Sequence, residues 1–169
     1  GVSHFADVGQ APFDNMSPLP FPEKNRRIVL FRWLESLSWE VPPLYIKQGS
    51  IEHVLPQNPH PKSQWCVDYP DEDQRHDCCH SLGNIALIDA DTNTRLANAD
   101  FTSKQLVFIE ASERFRTLRT LQQFSTWTEH DIRKRSLHLK QEILKQLHLA
   151  PHHTAKRRDH HEEAVARPM

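Results

Sequence analysis

The sequence predicts an α+β domain, a small antiparallel pair of strands embedded among flanking helices. Three observations predict it. Helix signals recur, as apolar spacing over 26–37 and as capping patterns at Thr102 and Thr128. Two short apolar runs, 44–55 and 82–89, read as strands. Hydrophobic residues make up only 37% of the 169 and mean hydropathy is -0.68, so the packed core is expected to be smaller than the chain, with polar ends outside it.

Residues 1–25 are expected to form an extended Pro-rich arm or linker, because Pro12, Pro18, Pro20 and Pro22 forbid a regular helix. A first residue of Gly rather than Met leads us to expect a fragment of something longer. In 26–37, Leu30, Trp33, Leu34 and Leu37 fall at i, i+3, i+4 and i+7 and predict a helix that Pro42-Pro43 stops. Residues 44–55 read as strand-like, with a turn at Gln48-Gly49-Ser50. A long loop follows over 57–81, rich in Pro, Asp and His, and loops of that length are commonly functional. Residues 82–89 read as a short buried strand and 93–98 as a helical turn. Thr102-x-x-Gln105 resembles a capping box that opens a helix ending near Glu110, and a further helix is expected over 112–124. The last helix has the clearest signature. Thr128 and Asp131 form a cap, Trp127 is placed to staple onto Ile132, and Ile132, Ser136, Leu139, Ile143 and Leu147 share one face until Pro151. The folded domain is thus bounded at 26–150. Residues 151–169 hold four His, several charges and little to bury, and are expected to be a disordered tail.

Net charge is -1, so the whole chain does not advertise an anionic partner. The distribution is uneven. Seven acidic residues between Asp68 and Asp91 face the single Arg75, whereas 113–149 carry eight basic residues against four acidic ones. An anionic partner would be met mainly by the C-terminal part. No run of about 18 apolar residues exists to span a membrane, and no leader pattern is visible in the first 25 residues. The cysteines, Cys66, Cys78 and Cys79, are odd in number with two adjacent, a poor disulfide framework that fits a reducing, cytoplasmic setting. His76-Asp77-Cys78-Cys79-His80, with Cys66 upstream, is the tempting zinc set. Structural zinc takes ligands in pairs such as C-x2-C, and adjacent Cys78 and Cys79 do not readily turn to one ion, so loop cysteines are the favoured reading.

The chemistry-bearing residues are Ile51-Glu52-His53-Val54-Leu55-Pro56-Gln57, then Leu82-Gly83-Asn84-Ile85-Ala86-Leu87, with Asn93 nine residues after Asn84. These types suit phosphodiester hydrolysis, in which water attacks phosphorus in line with the leaving oxygen. A neutral imidazole can take that water's proton, because His titrates near about pH 6.5. A hard divalent cation can offset the charge growing on the phosphate. Mg²⁺ prefers oxygen ligands and keeps several waters, so one carboxylate and one amide oxygen suffice. Strand alternation sends Glu52 and His53 to opposite faces unless the backbone bends.

The pattern resembles an HNH, or His-Me finger, nuclease: a carboxylate–His pair on a first strand, an Asn on a second, and an Asn or His in the following helix. It is also similar to the HNH domain of CRISPR-guided nucleases. The ordered set Ile51 to Gln57, Leu82-Gly83-Asn84, Asn93, Asn98, Phe101, Lys104, Trp127, Ile132 and Arg135 resembles the C-terminal nuclease domain of GmrSD-type modification-dependent restriction enzymes, and similar domains occur in phosphorothioate-sensing antiphage nickases. The resemblance covers about 26–149. Ala86 stands where such domains often carry Thr, and the acid-rich stretch from Asp68 to Asp77 is unusual beside a site for an anion.

The resemblance implies a ββα-metal core and a DNA endonuclease or nickase that uses Mg²⁺ or Mn²⁺ in antiphage restriction. It implies His53 as general base, Glu52 and Asn93 as metal ligands, and Asn84 as a structural member of the catalytic set. It makes Lys104 a phosphate contact, with Arg133 and Arg135 as further contacts to DNA. It also implies an N-terminal NTPase-like sensor in a longer parent protein, no membrane, and oligomers formed through the parent. A rival expectation is an HNH-like module that binds DNA or protein through the basic C-terminal helices without catalysis. Glu52 paired with a nearby Lys or Arg is the plainer alternative to its ligand role.

Overall fold

The computed structural model describes residues 24–149. Most of the expected arm and all of the expected tail lie outside them. Helix α1, Lys24–Ser36, begins slightly before its expected start. Its buried side keeps most of the expected stripe: Leu34 is buried, Leu30 and Trp33 pack against the core, and Phe31 and Glu35 join them, while Leu37 stays 42% exposed. Glu35 turns inward because its carboxylate accepts hydrogen bonds from Arg116 N (2.6 Å), Thr117 N (2.9 Å) and Trp39 Nε1 (3.0 Å). Those donors offset the cost of burying a charge.

The first half of the expected 44–55 strand is instead a 3₁₀ turn, Leu44–Gln48, opened by Pro43 and closed by Gly49 N donating to Ile46 O. A Cβ on Gly49 would stand 2.8 Å from Leu87 Cδ1, so glycine lets the chain turn this close to the second strand. Strand β1, Ser50–His53, pairs antiparallel with β2, Ile85–Ile88, in the register Ser50 to Ile88, Ile51 to Leu87, Glu52 to Ala86 and His53 to Ile85. All four β2 residues are buried. Helix α1 packs on both strands, and the turn Arg116–Leu121 packs on β2.

The connection expected as a loop contains two helices, α2, Gln64–Asp68, and α3, Glu72–Cys79. Asp71 caps α3 by accepting from Gln74 N at 2.8 Å. This helix escapes sequence reading because it shows the core only Cys78 and Cys79, behind an otherwise acidic surface. Trp65 and Tyr69 anchor the region, donating to Ala99 O and Trp127 O respectively.

Helix α4, Ala90–Leu96, and helix α5, Phe101–Ala111, are capped by Asp89 and Asp100, whose side chains accept from Thr92 N and Ser103 N. The cap expected at Thr102 therefore belongs to Asp100. The helix expected over 112–124 is the 3₁₀ turn Arg116–Leu121. Its buried Phe115, Leu118 and Leu121 recur every third residue, the 3₁₀ repeat rather than the α one.

Helix α6, Glu129–Leu149, starts as expected. Thr128 N donates to Asp131 Oδ2 (2.8 Å) and Asp131 N donates back to Thr128 Oγ1 (3.3 Å). Ile132, Ser136 and Leu139 are buried, but Leu147 is 56% exposed, so the far end of the helix leaves the core. Near its start α6 crosses the 3₁₀ turn Leu82–Asn84 at backbone contact. A Cβ on Gly83 would lie 2.0 Å from Ile132 O, and Gly83 N donates to Ser136 Oγ at 2.7 Å. The whole is a mixed helical domain around one small antiparallel sheet, an α+β fold.

Candidate active site

Strand β1 ends at a cleft of about 820 Å³ whose walls include Arg27 from α1, Ser50, Ile51 and His53 from β1, His80 after α3, and Asn93 from α4. A recess of about 390 Å³ is walled by Glu52, His53, Asn58, Asn93 and Asn98. The chain leaves α4 through Ala97, at φ 39° the only positive-φ residue that is not glycine among the described residues. Such a conformation costs about 1 kcal/mol or more and is held by its surroundings.

His53 Nε2 lies 3.3 Å from Arg27 Nη1, and the same guanidinium nitrogen lies 3.2 Å from His80 Nδ1. A guanidinium only donates, so both imidazole nitrogens accept. This leaves the His53 proton on Nδ1 and its Nε2 lone pair in the cleft. Burial first, then the charges of Arg27, His80 and Lys104, push His53 down to about 4. Burial and Arg27 lower His80 as well. Both rings are neutral at pH 7, which suits a base and excludes His53 from acting as a standing cation.

Glu52 points the other way. Its Oε1 accepts from Lys104 Nζ at 2.6 Å, with the lysine side chain 0% and the glutamate side chain 4% exposed. Burial pushes the carboxyl up and the ammonium down, and each partner's charge opposes that drift. Lys104 Nζ also donates to His53 O at 2.9 Å. The phosphate contact expected of Lys104 is therefore corrected: an ammonium with no exposed surface ties down the end of β1 and does not meet DNA.

Asn84 is buried and fully used. Its Oδ1 accepts from Leu55 N (2.7 Å) and Trp127 Nε1 (2.9 Å), and its Nδ2 donates to Leu55 O and Cys79 O (2.9 Å each). It binds the segment after β1 to the end of α3 and the start of α6. Asn93 Nδ2 donates to Ser50 Oγ and Ile51 O, both at 2.8 Å, which fixes α4 to β1 and leaves Oδ1 as the uncommitted end of the amide.

Arg135 is also corrected as a contact to DNA. It is buried, donating from Nη1 to Gly83 O (2.5 Å) and Ile85 O (2.7 Å) and from Nε to Thr120 Oγ1 (2.9 Å), and burial lowers it to about 9. Arg133 pairs with Glu129 on its own helix and is absent from the walls of the cleft.

The structure thus brings His53, Asn93 and Glu52 to adjoining spaces and sets Asn84 behind them. Two site residues escape the sequence. Arg27 reaches the cleft from α1, and nothing in the local pattern marks it. His80, read from sequence only as a zinc candidate, stands four residues before Asn84, close enough to the motif to have been weighed with it. Cysteine placement is corrected too: Cys78 and Cys79 end a helix rather than sit in a loop, and ligand atoms of His53, Cys79 and His80 lie within 4.8 Å of one another. Such a group can hold a metal ion.

Among the described residues no helix is long and apolar enough to cross a membrane. No curated protein and no solved structure matches the chain. A family model described as the C-terminal domain of GmrSD restriction endonucleases matches residues 18–142, a span that contains both strands, the cleft and most of α6. That family implies a restriction-endonuclease-type function with DNA as substrate. With both the match and the ordered His53, Asn84 and Asn93 in place, the chain belongs to the family of GmrSD restriction endonuclease C-terminal domains.

Proposed function

We propose that the chain is a metal-dependent DNA endonuclease or nickase of the HNH type, with β1, β2 and α4 as its ββα-metal core. One observation carries the reading. The ring of His53 and the amide of Asn93 open onto the same cleft at the end of β1. His53 Nε2 takes a proton from water as that water attacks phosphorus; the ring is neutral, and its lone pair is held by Arg27 until substrate is seated. Arg27 supplies positive charge at the same point. Its guanidinium exchanges the two imidazole nitrogens for the non-bridging oxygens of a phosphate, which releases Nε2 as the substrate is seated.

Asn84 and Lys104 are positioning residues. The first fixes Leu55, just after the base, and the second fixes the carbonyl of His53 itself. Glu52 and Asn93 border the recess beside the base and offer hard oxygen donors, a fit for Mg²⁺ or Mn²⁺. When bound, the cation offsets charge that develops on the phosphate and the leaving oxygen. We assign the choice of foreign or modified DNA to an NTPase-like sensor in a longer cytoplasmic parent protein.

The test is plasmid nicking. The wild-type chain is expected to convert supercoiled plasmid to open circles in Mg²⁺ or Mn²⁺ and to stop on chelation. His53→Ala should bind the same DNA with unchanged affinity and leave it intact. Full nicking by that variant, free of contaminating nuclease, overturns the proposal.

A further inference from the structure

His53, Cys79 and His80 come from two separate parts of the chain, and their ligand atoms lie within 4.8 Å of one another. His53 ends β1, Cys79 is the last residue of α3, and His80 is that helix's C-cap. The donor set differs in kind from the oxygen atoms of Glu52 and Asn93. Two imidazole nitrogens and one sulfur suit a borderline transition cation and are poor partners for Mg²⁺. Three protein ligands with a fourth position open to the cleft is a common zinc arrangement.

The place already holds a positive group. Arg27 Nη1 stands between His53 Nε2 and His80 Nδ1, so two lone pairs converge on one point. Zinc bonds of roughly 2.0–2.3 Å set ligand atoms roughly 3.3–3.8 Å apart in a tetrahedron. Small rotations of two rings that line a cleft supply that contraction. Cys79 and His80 are adjacent, as Cys78 and Cys79 are, but at the end of α3 their ligand atoms come together with that of His53 within 4.8 Å.

We infer that His53, Cys79 and His80 form a second, softer cation site that takes Zn²⁺ in place of the Arg27 guanidinium and, by occupying His53 Nε2, switches the domain off. On binding, Cys79 Sγ releases its hydrogen bond to Leu55 O and gives its proton to solvent. Arg27 swings clear of the two rings. The metal site stands on its own geometry, whereas its inhibitory effect rests on His53 being the base of the proposed nuclease.

The experiment uses the full chain, reduced and metal-free, titrated with Co²⁺ and then Zn²⁺. One equivalent of Co²⁺ should give a tetrahedral visible spectrum with a thiolate-to-cobalt charge-transfer band, and one equivalent of Zn²⁺ should bleach it. Cys79→Ser should lose the band and weaken Co²⁺ binding at least tenfold. His80→Gln should weaken it at least tenfold as well, and it serves if the buried Cys79 variant fails to fold. His76→Ala should bind as wild type, since His76 packs against His80 outside the ligand set. A wild-type spectrum without the band, or a band that survives Cys79→Ser, overturns the site.

Plasmid nicking in Mg²⁺ then separates the two claims. One equivalent of Zn²⁺ should slow the wild type at least tenfold and leave Cys79→Ser active. A chain that shows the cobalt band yet nicks at full rate with zinc bound overturns the inhibition. A chain that shows the band and never nicks supports the metal site and counts against the nuclease.

Discussion

Glu52 and His53 are consecutive residues of β1, yet one is sealed against Lys104 and the other lines the cleft. The pleat alone accounts for the split, since neighbouring side chains on a strand point to opposite faces. On the inner face a carboxylate and an ammonium, both out of water, close an ion pair that also grips the His53 carbonyl. On the outer face the ring keeps one nitrogen open to the cleft and is neutral because burial and Arg27 disfavour its charged form. Two consecutive motif residues thus present one ring to the cleft and one carboxylate to the interior, where its ion pair ties down the end of the strand. Glu52 reaches the chemistry only where it borders the recess shared with Asn93.

Substitutions on the two faces should fail in different ways. On the outer face, His53→Ala should lower nicking by about 10²–10⁴-fold, the usual reach of a general base. Thermal melting should shift by only a few degrees, because the ring is only partly buried and Arg27 Nη1 keeps His80 Nδ1 as an acceptor. A large fall in stability would make His53 a core residue and erase the contrast. On the inner face, Lys104→Met should cost about 3–5 kcal/mol in urea unfolding, since it strands a carboxylate away from water. Adding Glu52→Gln to Lys104→Met removes that charge and should recover much of the loss. The folded double variant also isolates Glu52 as a cation ligand: nicking that needs markedly more Mg²⁺ supports that role, and unchanged Mg²⁺ dependence confines Glu52 to the scaffold.

A third substitution tests how the outer face is held from behind. Asn84→Ala takes partners from Leu55 N, Leu55 O, Cys79 O and Trp127 Nε1 at once. A buried group left unpaired costs about 1–3 kcal/mol, and part of that is recovered by relaxation, so about 2–4 kcal/mol is expected in chemical denaturation. Asn84→Asp sets a buried carboxylate oxygen against the carbonyls of Leu55 and Cys79 and should cost at least as much as the alanine. A loss below about 1 kcal/mol would mean that water replaces the amide and that Asn84 does not set the position of residue 55.

What could be read beforehand follows from how local each signal is. His53, Asn84 and Asn93 announce themselves through short spacings within strands and the helix that follows, and the structure brings their segments together. The cap of α6 is equally local, and Thr128 and Asp131 meet as their spacing requires. Arg27 is invisible by the same rule, because only the packing of α1 on the sheet brings it to His53. Lys104 and Arg135 mislead for a related reason. A cation on a helix reads as solvated charge until the carboxylate or carbonyls that meet it across the core are known. Helix α3 hides behind its acidic composition, and the turn at 116–121 hides behind a three-residue repeat that helix counting overlooks.

The smallest effect concerns the helix that brings Asn93 to β1. Asp89 caps α4 by accepting from Thr92 N at 2.9 Å. Its burial alone would raise the carboxyl, but the Thr92 hydrogen bonds and the charge of Arg114 outweigh it and hold the group below its ordinary 3.8. A carboxyl whose folded pKa is depressed stabilises the fold above the unfolded value and loses that contribution as pH falls through the folded one. Asp89→Ala should therefore cost about 1 kcal/mol at pH 7 in urea unfolding, and the gap between variant and wild type should close in acid, below about 3.8. Because Asn93 N also donates to Asp89 O, a frayed cap loosens the turn that presents the Asn93 amide. Nicking by Asp89→Ala should then need more Mg²⁺ at neutral pH while keeping its maximal rate. A gap that persists undiminished in strong acid would show that the Asp89 side chain stabilises α4 by packing rather than as a charged cap, and would remove the electrostatic link between that cap and the cleft.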